Sequence, residues 1–371
     1  MSKKLWIVLV AVFVVVALAI IVPRLRGGEV SSRYQVLEPI RHGSLTIFPV
    51  VTSTSHDTHA FLTLDEGLRS GGVVVSESGS ISPLVRPHRR DGVWGEQRGD
   101  GAQVNRLVLV NNSKKPLLLL AGEIVTGGKQ DRIIGKDRLV PAESDPIDLS
   151  VFCVEPGRWV ATAGSYDFKA PAAGGNAMGA MVQPSVRSKA MSDKDQAKVW
   201  AEVQSSKQGL ASDLPQATAE TVEVTSSYAG VIQNEEVQHK LDSVVAPMQQ
   251  EYQSVIRQLR DKNAVGVVVA VNGEIIWADL FASTNLLEKY WPKLVRSYAA
   301  ESMVQRTSPG TASIKSAQEF LARIEGRREV VESEPGLYRH TEISGDGFKV
   351  FELTSLLPGS GFDLHIAKMS D

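Results

Sequence analysis

The chain has 371 residues, a formal charge of −2, and a composition that is 43% hydrophobic and 22% charged. That length holds two ordinary domains or one large one, and the composition is globular rather than disordered. The near-neutral balance excludes a global basic field for nucleic acid, and a single cysteine excludes an intrachain disulfide framework and a CxxC zinc site.

Residues 5–22 form an unbroken apolar run of eighteen, preceded by Lys3 and Lys4 and closed by Pro23 and Arg24. About 20 apolar residues cross a bilayer core, so the run is just sufficient for a membrane helix. Ala17-Leu18-Ala19 imitates a signal-peptide cleavage site, but Ile20, Ile21 and Val22 keep the run apolar. Residues 1–27 are therefore expected to be an uncleaved anchor, with the body outside the cytoplasm. Basic residues on both flanks give little orientation.

A β-rich part is expected over residues 28–160. Residues 34–40 and 45–51 are apolar and β-branched around His42-Gly43, which reads as two strands. His56 and His59 are spaced to face one metal, with Asp57 as an orienting partner, yet no third ligand is signalled nearby and a polar loop is the plainer reading. Thr63 caps a short helix with Asp65 and Glu66 in its first turn, and a strand follows over residues 73–77. Arg86, His88, Arg89 and Arg90 make a basic cluster in a Pro- and Gly-rich piece, where a solvated loop is the commoner reading. Residues 107–110 and 117–120 read as adjacent strands joined by a polar turn.

Residues 161–192 are rich in Gly, Ala, Pro and Ser and read as an exposed connection; residues 193–371 then mix helix and strand. Ala197, Trp200 and Val203 have helical spacing, and a long apolar stripe places a second helix over residues 234–259, kinked or split by Pro247. Val267 to Val271 is a buried-strand run, and Asn272-Gly273 turns it into a partner strand. Asn285 and Glu288 have capping-box spacing for a third helix, a fourth lies near residues 316–324, and strands follow near residues 337–342, 348–353 and 362–367. Strands first and a mixed order second, without βαβ alternation, give the α+β class.

The charges concentrate in residues 117–159, where Glu123, Lys129, Asp131, Arg132, Lys136, Asp137 and Arg138 interrupt apolar runs. Gly127, Gly128 and Lys129 offer flexible amides beside a cation, the usual means of holding an anion. This is not a P-loop, since Gln130 stands where Ser or Thr should meet magnesium. Arg132 and Arg158 have the fork geometry for phosphate or carboxylate, Trp159 offers a stacking face, and Glu123 or Glu155 could serve as a general base. A network of Arg–carboxylate pairs fixing strand register explains the same residue types equally well. Cys153 lies in an apolar run with no histidine near it in sequence and reads as a small buried hydrophobe.

Thr63-Leu64-Asp65-Glu66, Gly122-Glu123, Gly128-Lys129-Gln130, Arg132, and Cys153-Val154-Glu155 followed by Gly157-Arg158-Trp159 together resemble the ADP-ribosylglycohydrolase- and rhodanese-phosphatase-associated protein domain family. The resemblance runs from about Tyr34 to Val203 and beyond. It implies one α+β family domain that handles ADP-ribose, NAD-derived or related ligands, with Glu123, Lys129, Gln130, Arg132, Glu155 and Arg158 as the matching polar residues. It supplies no reaction and no cofactor. Three readings follow: a membrane-displayed domain binding a phosphate- or ribose-bearing ligand, a structural or protein-interaction module of the cell envelope, and a hydrolase using Glu123 or Glu155 as base.

Overall fold

The computed structural model describes residues 33–77, 106–157, 168–169, 180–259, 261–305 and 310–371. The apolar run of residues 5–22, the basic cluster at Arg86 to Arg90, and Arg158 and Trp159 lie outside the described residues.

The first part of the chain is mostly strand: β1 (Gln35–Val36), β2 (Ile40–His42), β3 (Leu45–Thr52), β4 (Leu62–Thr63), the short helix α1 (Leu64–Arg69), β5 (Val73–Glu77), β6 (Arg106–Asn111), β7 (Leu117–Leu119), β8 (Ile124–Gly127), β9 (Arg132–Ile134), β10 (Arg138–Val140), β11 (Ile147–Cys153) and β12 (Phe168–Lys169). Helices follow: α2 (Pro184–Ser188), a π-helical turn (Lys189–Asp193), α3 (Gln196–Ala211), α4 (Gln216–Val224), α5 (Tyr228–Gln233) and α6 (Glu235–Gln258). The chain then alternates through β13 (Asn263–Val271), β14 (Glu274–Phe281), α7 (Thr284–Val304) and α8 (Ile314–Ala322), and ends on β15 (Arg327–Glu334), β16 (Tyr338–Gly345), β17 (Phe348–Ser355) and β18 (Asp363–Ser370). The fold is α+β, with a β-rich first half and helices later, as expected.

A nine-stranded sheet runs β1-β3-β13-β14-β18-β17-β16-β15, with β2 also on β3. Strands from both parts of the chain thus share one sheet. The others are a six-stranded sheet, β12-β8-β9-β11-β6-β5, and a three-stranded one, β10-β7-β4. Strand β13 shows why its sequence is apolar almost throughout. Val267, Val269 and Val271 face one core with Leu286, Tyr290 and Leu294 of α7, while Val268 and Ala270 face another with Ala317 and Leu321 of α8. A strand buried on both faces has no polar positions to alternate. At its end Asn272 and Gly273 both take positive φ, 52° and 84°, which a two-residue type I′ turn demands.

Several expectations are corrected. Strands β6 and β7 are not partners: β6 pairs with β5 and β11, β7 with β10 and β4. The Asn111 side chain donates to the carbonyls of Lys115 and Pro141, and this tie turns the chain into a different sheet. Pro247 sits inside α6 without splitting it, because Leu241, Val245, Met248 and Tyr252 are buried on either side of it. Burying four such side chains outweighs the ~3 kcal/mol a proline costs a helix. Helix α7 is capped by Ser283, whose hydroxyl accepts from Leu286 N–H, rather than by Asn285. In α3 the inward face is Val199, Val203 and Leu210, and Ala197 is exposed. Of the expected exposed connection, Ala180, Met181, Val182, Val186, Ala190 and Met191 are buried. No described helix is long and apolar enough to cross a membrane.

Candidate functional site

The chain between β7 and β8, Ala121-Gly122-Glu123, is where the charges of the central stretch enter the interior. Gly122 has φ 87°, and a Cβ there would lie 2.5 Å from Arg187 Cγ, so the turn requires glycine on both counts. Glu123 accepts from Leu120 N–H at 2.6 Å and is ion-paired with Lys293 of α7, which also meets Asp65 of α1 at 2.6 Å. All three side chains are buried. Burial pushes the Glu123 carboxyl up against the opposing pull of Lys293. Burial also pulls on Lys293, but the charges of Glu123 and Asp65 hold its ammonium above the ordinary range. Glu123 therefore ties α1 and α7 to the β7–β8 turn.

Ala121 anchors a second buried network. Its N–H donates to Asp137 at 2.8 Å, and its carbonyl accepts from Arg187 Nε at 3.2 Å. Arg187 of α2 grips Asp279 of β14 in bidentate fashion, at 2.8 and 3.0 Å, with the Trp277 ring 4.5 Å from its guanidinium carbon. His365 of β18 lies between Asp137, at 2.5 Å from Nδ1, and Asp279, at 3.1 Å from Nε2. Burial lowers the imidazole's proton affinity, but the two carboxylates more than offset it and raise its pKa to about 9. Two cations thus face two anions, with no net charge left inside.

The predicted anion-binding turn also meets its partner segment. Arg132 of β9 pairs with Cys153 of β11, Gln130 Nε2 donates to the Glu155 carbonyl at 3.1 Å, and Asp131 N–H donates to the Glu155 carboxylate at 3.0 Å. The turn's amides already hold carboxylates of the protein itself. Lys129 N–H donates to Glu77 at 2.7 Å and Gly127 N–H to Asp131 at 3.3 Å. Gly128, with φ 51°, leaves no room for a Cβ against Phe168 and Glu77. Arg132 is fully buried, Glu155 and Gln130 nearly so, and only Lys129 among these is half-exposed. Cys153 is buried, and burial pushes its thiol up, away from nucleophilic character. His56 stacks on Phe362 while His59 is exposed, and among the described residues no group of three or more His, Cys, Asp or Glu is placed to hold a metal.

An open cavity lies one strand away. The connection from β9 to β10 sends Asp137 inward to His365 and Lys136 outward, into a cleft of about 310 Å³. Gly135, Lys136, Ser150, Val151 and Phe152 form one wall, Ala190, Met191 and Lys194 another, and Val331, Glu332, His340 and Phe351 a third. Lys136 pairs with Glu332, and Lys194 with Glu342 at 3.0 Å. Lys194 follows the π-helical turn with φ 54°, an uncommon conformation for a side chain-bearing residue, and such turns recur at functional sites. His340 is 3% exposed, and neither ring nitrogen has a hydrogen-bond partner. Burial pulls its pKa down, Asp137 and Glu332 oppose that pull, and Lys136 and Lys194 add to it, so the ring is neutral at neutral pH.

The model of the ARG and Rhodanese-Phosphatase-superfamily-associated Protein domain matches residues 33–366. The chain belongs to this family. The match spans every wall of the cleft, from Gly135 to Phe351, as well as both buried networks up to His365. No curated protein and no solved structure matches the chain significantly. Within this ARG- and rhodanese-phosphatase-associated domain, Glu123, Gln130, Arg132 and Glu155 are all parts of the interior, Glu123 in the cluster with Lys293 and Asp65 and the other three around the β8–β9 turn. Sequence reasoning found Lys136 as part of the charged stretch but missed Lys194, Glu332, His340 and Phe351. A histidine in an alternating strand carries no local sign that its ring will be left unbonded.

Proposed function

We propose that the domain recognises a small phosphate- or ribose-bearing molecule at the cleft between Lys136, Lys194 and His340. The observation that carries this reading is the cleft of about 310 Å³, lined by two lysines held only by partly exposed ion pairs. Pairs of this exposure are worth only ~0–1 kcal/mol, so a phosphate can take the lysines from Glu332 and Glu342 at little cost. The family's name sets it in the company of ADP-ribosylglycohydrolase and rhodanese-phosphatase proteins, which makes ADP-ribose and NAD the first ligands to try.

Titration calorimetry of the full-length chain with ADP-ribose, NAD and simple nucleotides tests the reading. Saturable heat that falls at least tenfold in affinity in the Lys136→Ala, Lys194→Ala double variant is the expected result. Absence of heat with all of them sinks it. The apolar run of residues 5–22 would hold the domain at a membrane. Removing residues 1–27 should then move the protein from the membrane to the soluble fraction; a full-length chain already in the soluble fraction would refute the anchor.

A further inference from the structure

We infer that an anion bound at Lys136 passes the Glu332 carboxylate to His340, so that binding draws a proton from solvent onto the imidazole and the cleft holds anions more tightly in mild acid. This rests on the proposed function above and adds how that site is regulated. Strand pairing sets up the exchange. Glu332 of β15 lies directly opposite His340 of β16. Directly opposed residues of antiparallel strands point to one face of the sheet, with Cβ atoms about 4.5–5.5 Å apart. The Glu332 carboxylate is nevertheless engaged elsewhere: Lys136 donates to one oxygen and the Tyr338 hydroxyl to the other. His340 is left with neither ring nitrogen bonded.

The charges around the ring leave Glu332 as the group that can move. Asp137 also acts on His340, but one of its oxygens is held by His365 and the other by Ala121 N–H. Lys136 and Lys194 oppose a charge on the ring. On β16 itself, Tyr338 is bonded to Glu332, and Glu342 is paired with Lys194 and Lys349. An anion between the two lysines changes this balance twice. It offsets their repulsion of an imidazolium, and it takes Lys136 from Glu332, leaving a carboxylate without its cation opposite a ring without an acceptor. A proton on His340 then gives Glu332 a charge-assisted hydrogen bond. No part of the ligand has to touch the buried ring. Linkage sets the sign. In the free protein burial, aided by Lys136 and Lys194, holds the His340 pKa below its ordinary 6.5. The released Glu332 and the anion raise it, so the complex binds more protons than the free protein, and affinity climbs as pH falls through that interval.

The probes are sulfate and ADP-ribose, neither of which changes its own charge in mild acid. Titration calorimetry of the full-length chain in buffers of different ionisation heat counts the protons taken up per anion bound. Wild type should take up most of a proton at about pH 6 and almost none at about pH 8, and should bind roughly fivefold or more tightly at the lower value. His340→Gln should lose the uptake and the rise in affinity together. Glu332→Gln should lose them too, yet bind more tightly than wild type at the higher pH, because Lys136 then has no carboxylate to leave. A variant that merely failed to fold would not gain affinity. Binding without proton uptake in wild type overturns the inference. So does uptake undiminished in His340→Gln, which would put the proton on Glu332 instead. Either result leaves an anion-binding cleft, whereas heat from neither probe at either pH overturns the proposed function as well.

Discussion

Lys293 shows what a single residue contributes to the interior. It brings one positive charge to a place where Asp65 and Glu123 bring two carboxyl groups, and all three side chains are buried. Such a cluster is worth little against apolar residues of the same shape, but removing one member leaves an uncompensated buried charge. Lys293→Met should therefore destabilise the domain by ~3–5 kcal/mol, the usual cost of breaking a buried pair. Glu123→Gln should cost less. Burial already pushes that carboxyl toward its neutral form, and the amide can still accept from Leu120 N–H. Urea denaturation of the two variants decides the matter. If Glu123→Gln proves the more damaging, Glu123 carries its full negative charge in this cluster.

The elements differ in how much of their cause is local. Ser283 caps α7 through Leu286 N–H and also bonds Thr58, whereas Asn285 lies inside the helix with its side-chain oxygen unbonded. Ser283→Ala should lower stability by ~1–2 kcal/mol, the range for losing a cap. Asn285→Ala should change it by no more than ~0.5 kcal/mol, and a larger loss there would return the cap to Asn285. Caps and turns of this kind were legible because their partners lie within a few residues. Thr63 with Glu66 at the start of α1, and Asn272-Gly273 after β13, are of the same sort. The burial of α2 and its π-helical turn was not legible, since Arg187 is drawn in by Asp279, 92 residues away. Nor was β15, an edge strand whose mostly exposed residues show no alternation. The candidate site divides along the same line. Charges inside apolar strands singled out Glu123, Arg132 and Glu155, but buried ion pairs and binding sites write the same residues. Telling them apart needed the positions of Glu77, Asp65 and Lys293, which no local spacing gives.

At the scale of the whole molecule, His365 binds sheets together. It stands on β18 of the nine-stranded sheet and bonds Asp137, beside β10 of the three-stranded one, as well as Asp279 on β14. Its proton is part of that joint. The pKa is raised from an ordinary 6.5 to about 9 in the fold, so the stabilisation is complete below about 6.5 and is lost as pH rises through about 9. The shift corresponds to ~3 kcal/mol as an order of magnitude. Lys368 works in the opposite sense. Burial and the nearby Arg323 pull its pKa down from 10.5 to about 7, so its unfavourable contribution disappears as pH rises across that interval. Total stability against pH therefore mixes two opposed trends, and the informative quantity is the difference between wild type and His365→Gln. That difference should be largest at pH 6, where the wild-type imidazole holds its proton in both folded and unfolded chains near the lower bound of the window. It should shrink by ~3 kcal/mol as pH passes 9, when the wild-type ring has lost the charge that the glutamine never had. Chemical denaturation of both proteins at several pH values measures it. A difference that stays constant from pH 6 to 10 would mean that His365 joins the sheets as a neutral hydrogen-bonding ring, and that the charge balance with Asp137, Asp279 and Arg187 does not hold.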